Sequence, residues 1–427
     1  MKFLIKSLEP TTSRLYSHVY DNINNKLQTF DGSPLVLKLK TKSESFFSQL
    51  NDNNDKSCFH TKIRQLRKLK IQLGFRCNFN CKYCNQRAYE NAISINPEKH
   101  LDLTGFVEKI QANVESVSEI LFMGGEPFVY IKTLDPLCKR LRSLYPDARF
   151  HTITNGSLID VKVADWCIEN RFNLTISHDG PQSSKYRDGI DILEDPKTLA
   201  GIRHYIDRNN GEKHGLEAQI NVVVTADNWK LSELSDFFRE KLQRDIRIQF
   251  ESIAKLNETT VDQVDPFTNE SVNGLIEEIL MAGTDGRLDN PLGYFRRTAN
   301  NLVQRIISET DLSRLKFYCD NSRRDTMAVD LQGNLLACHA YPSFRTGYAT
   351  IDEMTTATCD IPRPWTSRED CQKCPLLVSC LGGCPLQGDV AHEITCRNLK
   401  IWHMGLFMVA WYQMLGTIIQ TIEPMED

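Results

Sequence analysis

Net charge is nearly absent from this 427-residue chain: 51 Lys and Arg stand against 55 Asp and Glu, leaving −4. That balance excludes a general electrostatic attraction to nucleic acid. Met1-Lys2-Phe3-Leu4-Ile5-Lys6 lacks a long apolar core and a small-residue cleavage site, so no signal peptide is read and a cytoplasmic protein is expected. No tandem repeat is visible. Ile401 to Ile419 contains no Asp, Glu, Lys or Arg and just reaches membrane-spanning length. His403, Gly405, Gln413 and Gly416 dilute the run, which predicts a helix buried against the main domain, with membrane contact as the alternative.

What the chain does have is cysteine. Fourteen are present, and eight fall between Cys319 and Cys396 in close spacings. Without an export signal, such clustering favours metal or cluster ligation in a reducing compartment over a disulfide framework. Cys77, Cys81 and Cys84 form C-x3-C-x2-C directly after the apolar run Leu69 to Phe75. Three thiolates on one short loop suit three irons of a [4Fe-4S] cluster, leaving the fourth iron open. A zinc site would want a fourth ligand nearby, and none lies between Cys84 and His100.

With Tyr83 before its last cysteine, this stretch resembles the signature of the radical SAM superfamily. The resemblance implies a cluster that binds S-adenosylmethionine (SAM) at its open iron and cleaves it reductively to a 5′-deoxyadenosyl radical.

From Leu69 onward, short β-branched runs alternate with amphipathic stretches. Strands are predicted at Leu69–Gly74, Glu119–Met123, Arg149–Thr154, Asn173–His178, Gln219–Thr225 and Ile246–Phe250. Helices are predicted at Leu103–Val117, Thr133–Leu144, Val161–Asn170, Pro196–Arg208 and Lys230–Lys241. The pattern is α/β, with right-handed βα units on a parallel sheet, and with the cysteine loop after the first strand it predicts a partial (β/α)6 barrel. The expected divisions are an N-terminal extension over 1–62, packing on the main domain or docking a substrate, with one strand-like run at Pro34–Lys40, and the barrel over 63–255. A helical bridge over 256–311 (Val272–Met281 and Tyr294–Ser308), a cysteine-rich domain over 312–400 and a C-terminal helix over 401–427 follow. The basic stretch Arg64 to Lys70 is a solvated face or a peptide contact.

In parallel α/β folds chemistry collects at the C-terminal strand ends. Gly124, Gly125, Glu126 and Pro127 end the second predicted strand, where glycines allow close approach to a ligand and the carboxylate can accept from an ammonium. By resemblance this is the SAM amino-group motif. Asn155 follows the third strand. Ser177 and Asp179 would lie near SAM or its ribose, and Arg187 near the SAM carboxylate, with loop capping as the alternative for Asn155 and Arg187. No function is attached to His178. Cys138 and Cys167 read as buried small hydrophobes, and Cys58 is unassigned.

Cys319, Gly333 and Cys338, followed by Cys371-x2-Cys374-x5-Cys380-x3-Cys384 and Cys396, resemble the SPASM domain found in radical SAM maturases. The resemblance implies two auxiliary [4Fe-4S] clusters. The outer would be held by Cys371, Cys374, Cys380 and Cys396, and the inner by Cys319, Cys338 and Cys384. The eighth ligand is Cys359, Asp325 or the substrate. Asp325, Asp330 and His339 are candidate proton acceptors, with strand and turn structure around Gly333 as the alternative. The implied partners are a precursor peptide and an electron donor such as flavodoxin or ferredoxin. The expected reaction is a carbon–carbon crosslink (cyclophane) between an aromatic ring and a nearby β-carbon, as in the cyclophane-forming group, for which length and Cys84-Asn85-Gln86 are the cues. The competitors are thioether formation and formylglycine maturation of a sulfatase. The last is disfavoured because His339 stands where those enzymes carry Asp. A scaffold without catalysis fits poorly with intact Cys77, Cys81, Cys84 and Glu126.

Overall fold

The first residues, expected as a polar extension, form three antiparallel strands, β1 (Lys2–Leu8), β2 (Leu15–Asp21) and β3 (Lys26–Thr29). In β1 alternate residues Phe3, Ile5 and Ser7 are buried, the period-2 pattern of a strand with one covered face. Its other neighbour comes from the far end of the chain: β15 (Ile418–Pro424) runs antiparallel to it, pairing Phe3 with Pro424. The computed structural model describes residues 1–31, 35, 58–59, 61–87, 102–208, 217–254, 264, 266–287, 290–314, 319–339, 345–357, 359–360 and 363–425. The run Pro34–Lys40 therefore lies outside the described residues.

After a two-residue ladder between β4 (Cys58–Phe59) and β14 (Cys359–Asp360), the main sheet begins. β5 (Gln65–Gln72), β6 (Ser116–Met123), β7 (Arg149–Thr154), β8 (Phe172–Ser177), β9 (Ala218–Val224) and β10 (Arg247–Ser252) lie side by side, all parallel, in chain order. Between β5 and β10 the connections carry α1 (Thr104–Asn113), α2 (Ile131–Leu144), α3 (Val161–Glu169), α4 (Pro196–Arg208) and α5 (Leu231–Leu242). These elements match the expected order. Phe122, Phe150 and Phe172, one from each of three adjacent strands, pack with ring centroids 5.4–5.5 Å apart, each such pair adding about 0.5–1.5 kcal/mol beyond its buried area. Cys138 and Cys167 are fully buried in α2 and α3.

The basic run Arg64–Lys70 faces partners on both sides of β5. Lys68 meets Glu119 at 3.1 Å, while Arg67 and Lys70 meet Asp320 at 2.5 and 3.1 Å. Glu119 begins a polar chain through His151, Thr175 and Gln219 to Gln249.

β5 does not end the sheet. β11 (Thr326–Asp330) pairs parallel to it, with Lys70 opposite Ala328, and β12 (Asn334–Leu336) and β13 (Arg345–Thr350) extend the same sheet antiparallel. Two helices follow β10, α6 (Asn269–Thr284) and α7 (Tyr294–Ile307), where helices were expected at Val272–Met281 and Tyr294–Ser308. The expected boundary at residue 400 falls inside one helix, α8 (Asp389–Leu415), which stops at Gly416 in the left-handed region (φ 70°) before β15. Trp402, Phe407 and Trp411 of α8 are buried. A Cβ on Gly405 would come within 2.8 Å of Ile279 in α6, so the small residue permits that close packing. No helix among the described residues is long and apolar enough to cross a membrane.

Candidate active site

Cys77, Cys81 and Cys84 lie on the loop leaving β5, at the C-terminal edge of the parallel strands, and all three are free thiols. The Phe79 amide donates to Cys77 Sγ at 3.3 Å and the Asn155 side-chain amide approaches it at 3.8 Å. Asn155 also donates to Asn78 Oδ1 at 2.9 Å, so the end of β7 braces the cysteine loop.

The next loop is locked against the first. The Gly125 amide donates to the Gly74 carbonyl and the Glu126 amide to that of Arg76, both at 3.0 Å. A Cβ on Gly125 would stand 2.4 Å from the Arg76 oxygen and 2.5 Å from that of Phe75, so glycine here lets two loops touch. Glu126 is buried and accepts from the Phe128 amide (3.1 Å), the Thr154 hydroxyl (2.7 Å) and the Asn155 amide (2.7 Å). Its carboxylate ties the β6 and β7 ends together.

These loops border a cleft, open to solvent, with about 1240 Å³ of atom-free space. The three cysteines, Tyr83, Gly124, Gly125, Asn155, Ser177, Arg187 and His339 line it; Glu126, Pro127 and Asp179 stand behind the wall. Asp179 is fully buried and accepts from Tyr83 (2.5 Å), twice from Arg187 (3.0 Å each) and from the Val223 amide (3.0 Å). A charge-assisted bidentate pair of this kind fixes the plane of the guanidinium. His178 donates to Asp191 and accepts from the Gly180 amide, which makes it a loop-forming residue.

Burial pushes the Cys77 thiol up to about 12 and that of Cys81 to about 11. These two thiols ionise only beside a compensating cation, and with Cys84 on the same cavity the three side chains fit a cluster's irons. The second cysteine group passes the same test. Cys371, Cys374, Cys380 and Cys396 line one cavity with about 410 Å³ of atom-free space, beside His392 and His403. Burial, and then the mutual charge of these sulfurs, pushes Cys371 up to about 11 and Cys380 to about 12. Cys384 is held up by burial and feels Cys319. Cys338 follows β12 on the strand side of the same region. The side chain of Cys359 lies outside the described residues; its backbone pairs with Phe59 in the short ladder.

Of the candidate proton acceptors, only His339 reaches the main cavity, its Nδ1 unpartnered among the described residues. Asp325 is held by Arg323 at 2.7 Å. Asp330 caps the turn before β12, accepting from the Gln332 and Asn334 amides and the Asn334 side chain. Both are thus engaged with neighbours beside the strand and turn around Gly333. Glu251, Ser252 and Asn221 also line the cavity and were not foreseen. Their only signal is position, Glu251 and Ser252 at the end of β10 and Asn221 within β9.

The radical SAM superfamily pattern matches residues 71–208. Over 414 residues, 87% of this chain and 80% of the relative, the sequence is 22% identical to the radical SAM cyclopropyl synthase TigE of Paramaledivibacter caminithermalis. The solved structure of anSMEcpe with AdoMet and the Kp18Cys peptide aligns at TM-score 0.55 and 19% identity, covering 81% of this chain and 97% of that one. Streptococcus suis SuiB aligns at TM-score 0.50 and 17% identity, covering 82% and 80%. Residues 71–208 thus match the radical SAM superfamily, a family that implies a [4Fe-4S] cluster and SAM.

Proposed function

We propose that this enzyme modifies a ribosomally made precursor peptide by forming a carbon–carbon bond, a cyclophane between an aromatic ring and a nearby β-carbon. The observation that carries the peptide reading is the cavity running from the cysteine loop to His339 and Glu251, continuous across the ends of β5 to β10. The cyclopropyl synthase relative and the peptide-bound solved structure support it. When bound, the cluster on Cys77, Cys81 and Cys84 with SAM supplies a 5′-deoxyadenosyl radical that takes hydrogen from carbon, and clusters on the second cysteine group supply a path for the surplus electron.

The chain's own residues position and enclose. Arg187, fixed by Asp179, presents a guanidinium suited to the SAM carboxylate, while Gly124, Gly125 and Ser177 offer close or polar walls. The outer cluster falls to Cys371, Cys374, Cys380 and Cys396, and the inner to Cys319, Cys338 and Cys384 within a SPASM domain following a partial (β/α)6 barrel. Cys359, Asp325 or the substrate completes the inner set. His339 is the proton acceptor nearest the cavity. A flavodoxin or ferredoxin delivers the first electron in the cytoplasm. Thioether formation and formylglycine maturation use the same radical and remain the competing outcomes.

The test is anaerobic incubation of reconstituted enzyme, SAM and dithionite with short peptides encoded beside the gene. A product about 2 Da lighter, with fragmentation linking an aromatic residue to a β-carbon, is expected from the loss of two hydrogens. A link through sulfur, or cysteine converted to an aldehyde, would replace the crosslink by one of the competitors. 5′-Deoxyadenosine without change in any peptide would sink the peptide reading.

A further inference from the structure

Most polar groups around the main cavity are already engaged. Arg187 is paired with Asp179, the Thr154 hydroxyl donates to Glu126, the Asn155 amide to Asn78, and Gln86 to the His339 carbonyl. Glu251, near the end of β10, differs. Its side chain is exposed to the cavity. No cation pairs with it among the described residues, and its hydrogen-bonding neighbour is Asn221 of β9. Asn221 is itself buried and its Oδ1 has no partner among the described residues. The two side chains thus offer a carboxylate and an amide oxygen to one corner of the open cleft. The nearest positive charge, Arg187, is occupied by Asp179.

An exposed carboxylate that has no ion-pair partner among the described residues is open to a counter-charge brought by a ligand. Burial pushes its pKa up, with Asn221 and Arg187 opposing. A ligand bringing positive charge and N–H donors would satisfy both acceptors and favour the charged form.

We propose that Glu251 and Asn221 form the acceptor site for a cationic side chain of the substrate peptide, an ammonium or guanidinium, and so position the segment to be modified. This rests on the peptide reading above. The role is positioning: no bond to Glu251 forms or breaks. It makes the enzyme selective for peptides with Lys or Arg at or beside the modified residue.

The test is equilibrium binding of n-butylammonium and n-butanol to anaerobically reconstituted, SAM-loaded enzyme, read by saturation-transfer NMR on the small molecule. The cation should bind at least about fivefold more tightly than the alcohol, and Glu251→Gln should abolish the preference. Asn221→Asp, which adds a second carboxylate, should tighten the cation by about threefold or more near pH 8. N-acetyl-glycyl-lysyl-glycine amide is run alongside. If n-butylammonium shows the Glu251-dependent preference and the lysyl peptide does not, the acceptor site stands and the peptide reading falls. Equal binding of cation and alcohol, or a preference that survives in Glu251→Gln, overturns the proposal. So does a loss of SAM affinity of about tenfold in Glu251→Gln, which would assign the carboxylate to SAM.

Discussion

Asn22 donates its side-chain amide to the backbone carbonyl of Cys374, and also to that of Gln372, both at 2.9 Å. The turn after β2 therefore holds the segment that carries two of the four thiols facing the smaller cavity. Asn22→Ala leaves two carbonyls without their donor and should cost about 1–3 kcal/mol. Asn22→Asp, which puts acceptor against acceptor, should be worse. Thermal unfolding and iron per chain measure both; unchanged iron retention in Asn22→Asp would separate this contact from cluster binding.

Removing the Arg187 side chain strands the buried Asp179 carboxylate. Arg187→Ala should lower stability by about 3–5 kcal/mol, as expected for one partner of a buried pair. Tyr83→Phe, which deletes one of several donors to the same carboxylate, should cost only about 1–2 kcal/mol. Urea unfolding distinguishes them, and equal losses would contradict the pairing described.

Glu119 carries a prediction about acid. Burial raises its pKa, but the hydrogen bond from His151 and the charge of Lys68 outweigh it and hold the group at about 2. Because the folded value lies below that of an unfolded carboxylate, its stabilisation is present at neutral pH. It fades as pH falls below about 4.5 towards 2. Glu119→Gln should therefore destabilise by about 1–2 kcal/mol at pH 7 after solvent screening, with the difference shrinking below pH 4. Parallel denaturation curves across that range give the answer; a difference constant with pH would refute the assignment.

The two cysteine groups should separate by function. Alanine at Cys77, Cys81 or Cys84 should abolish 5′-deoxyadenosine formation. Alanine at Cys371, Cys374, Cys380 or Cys396 should lower iron by roughly four per chain while SAM cleavage continues and peptide product is lost. Iron analysis with chromatography of the nucleoside checks both halves.

The β5 to β10 series was legible because buried apolar runs alternate with amphipathic helices, and each strand lies beside the next in sequence. The grouping of Cys371, Cys374, Cys380 and Cys396 on one cavity was legible because their spacing is a local pattern. Long-range pairing was not: β15 joins β1 across more than four hundred residues, and β11 inserts beside β5 after the whole α/β series. Glu126 was expected to face a ligand, yet it is buried under three donors that local sequence does not announce. Glu251 was passed over because, on an edge-bound run, a side chain open to a cavity looks like one open to bulk water.

The strand that feeds the first cysteine loop is hydrogen-bonded on its other side to a strand flanked by Cys319 and Cys338. Backbone ladders fix neighbouring strands at about 4.8 Å, so these two thiol-bearing regions share one stiff plate. Any current between metal centres mounted on them would cross a separation set by covalent and ladder geometry. Its rate would then be insensitive to viscosity, and no swinging module would be required to complete the circuit.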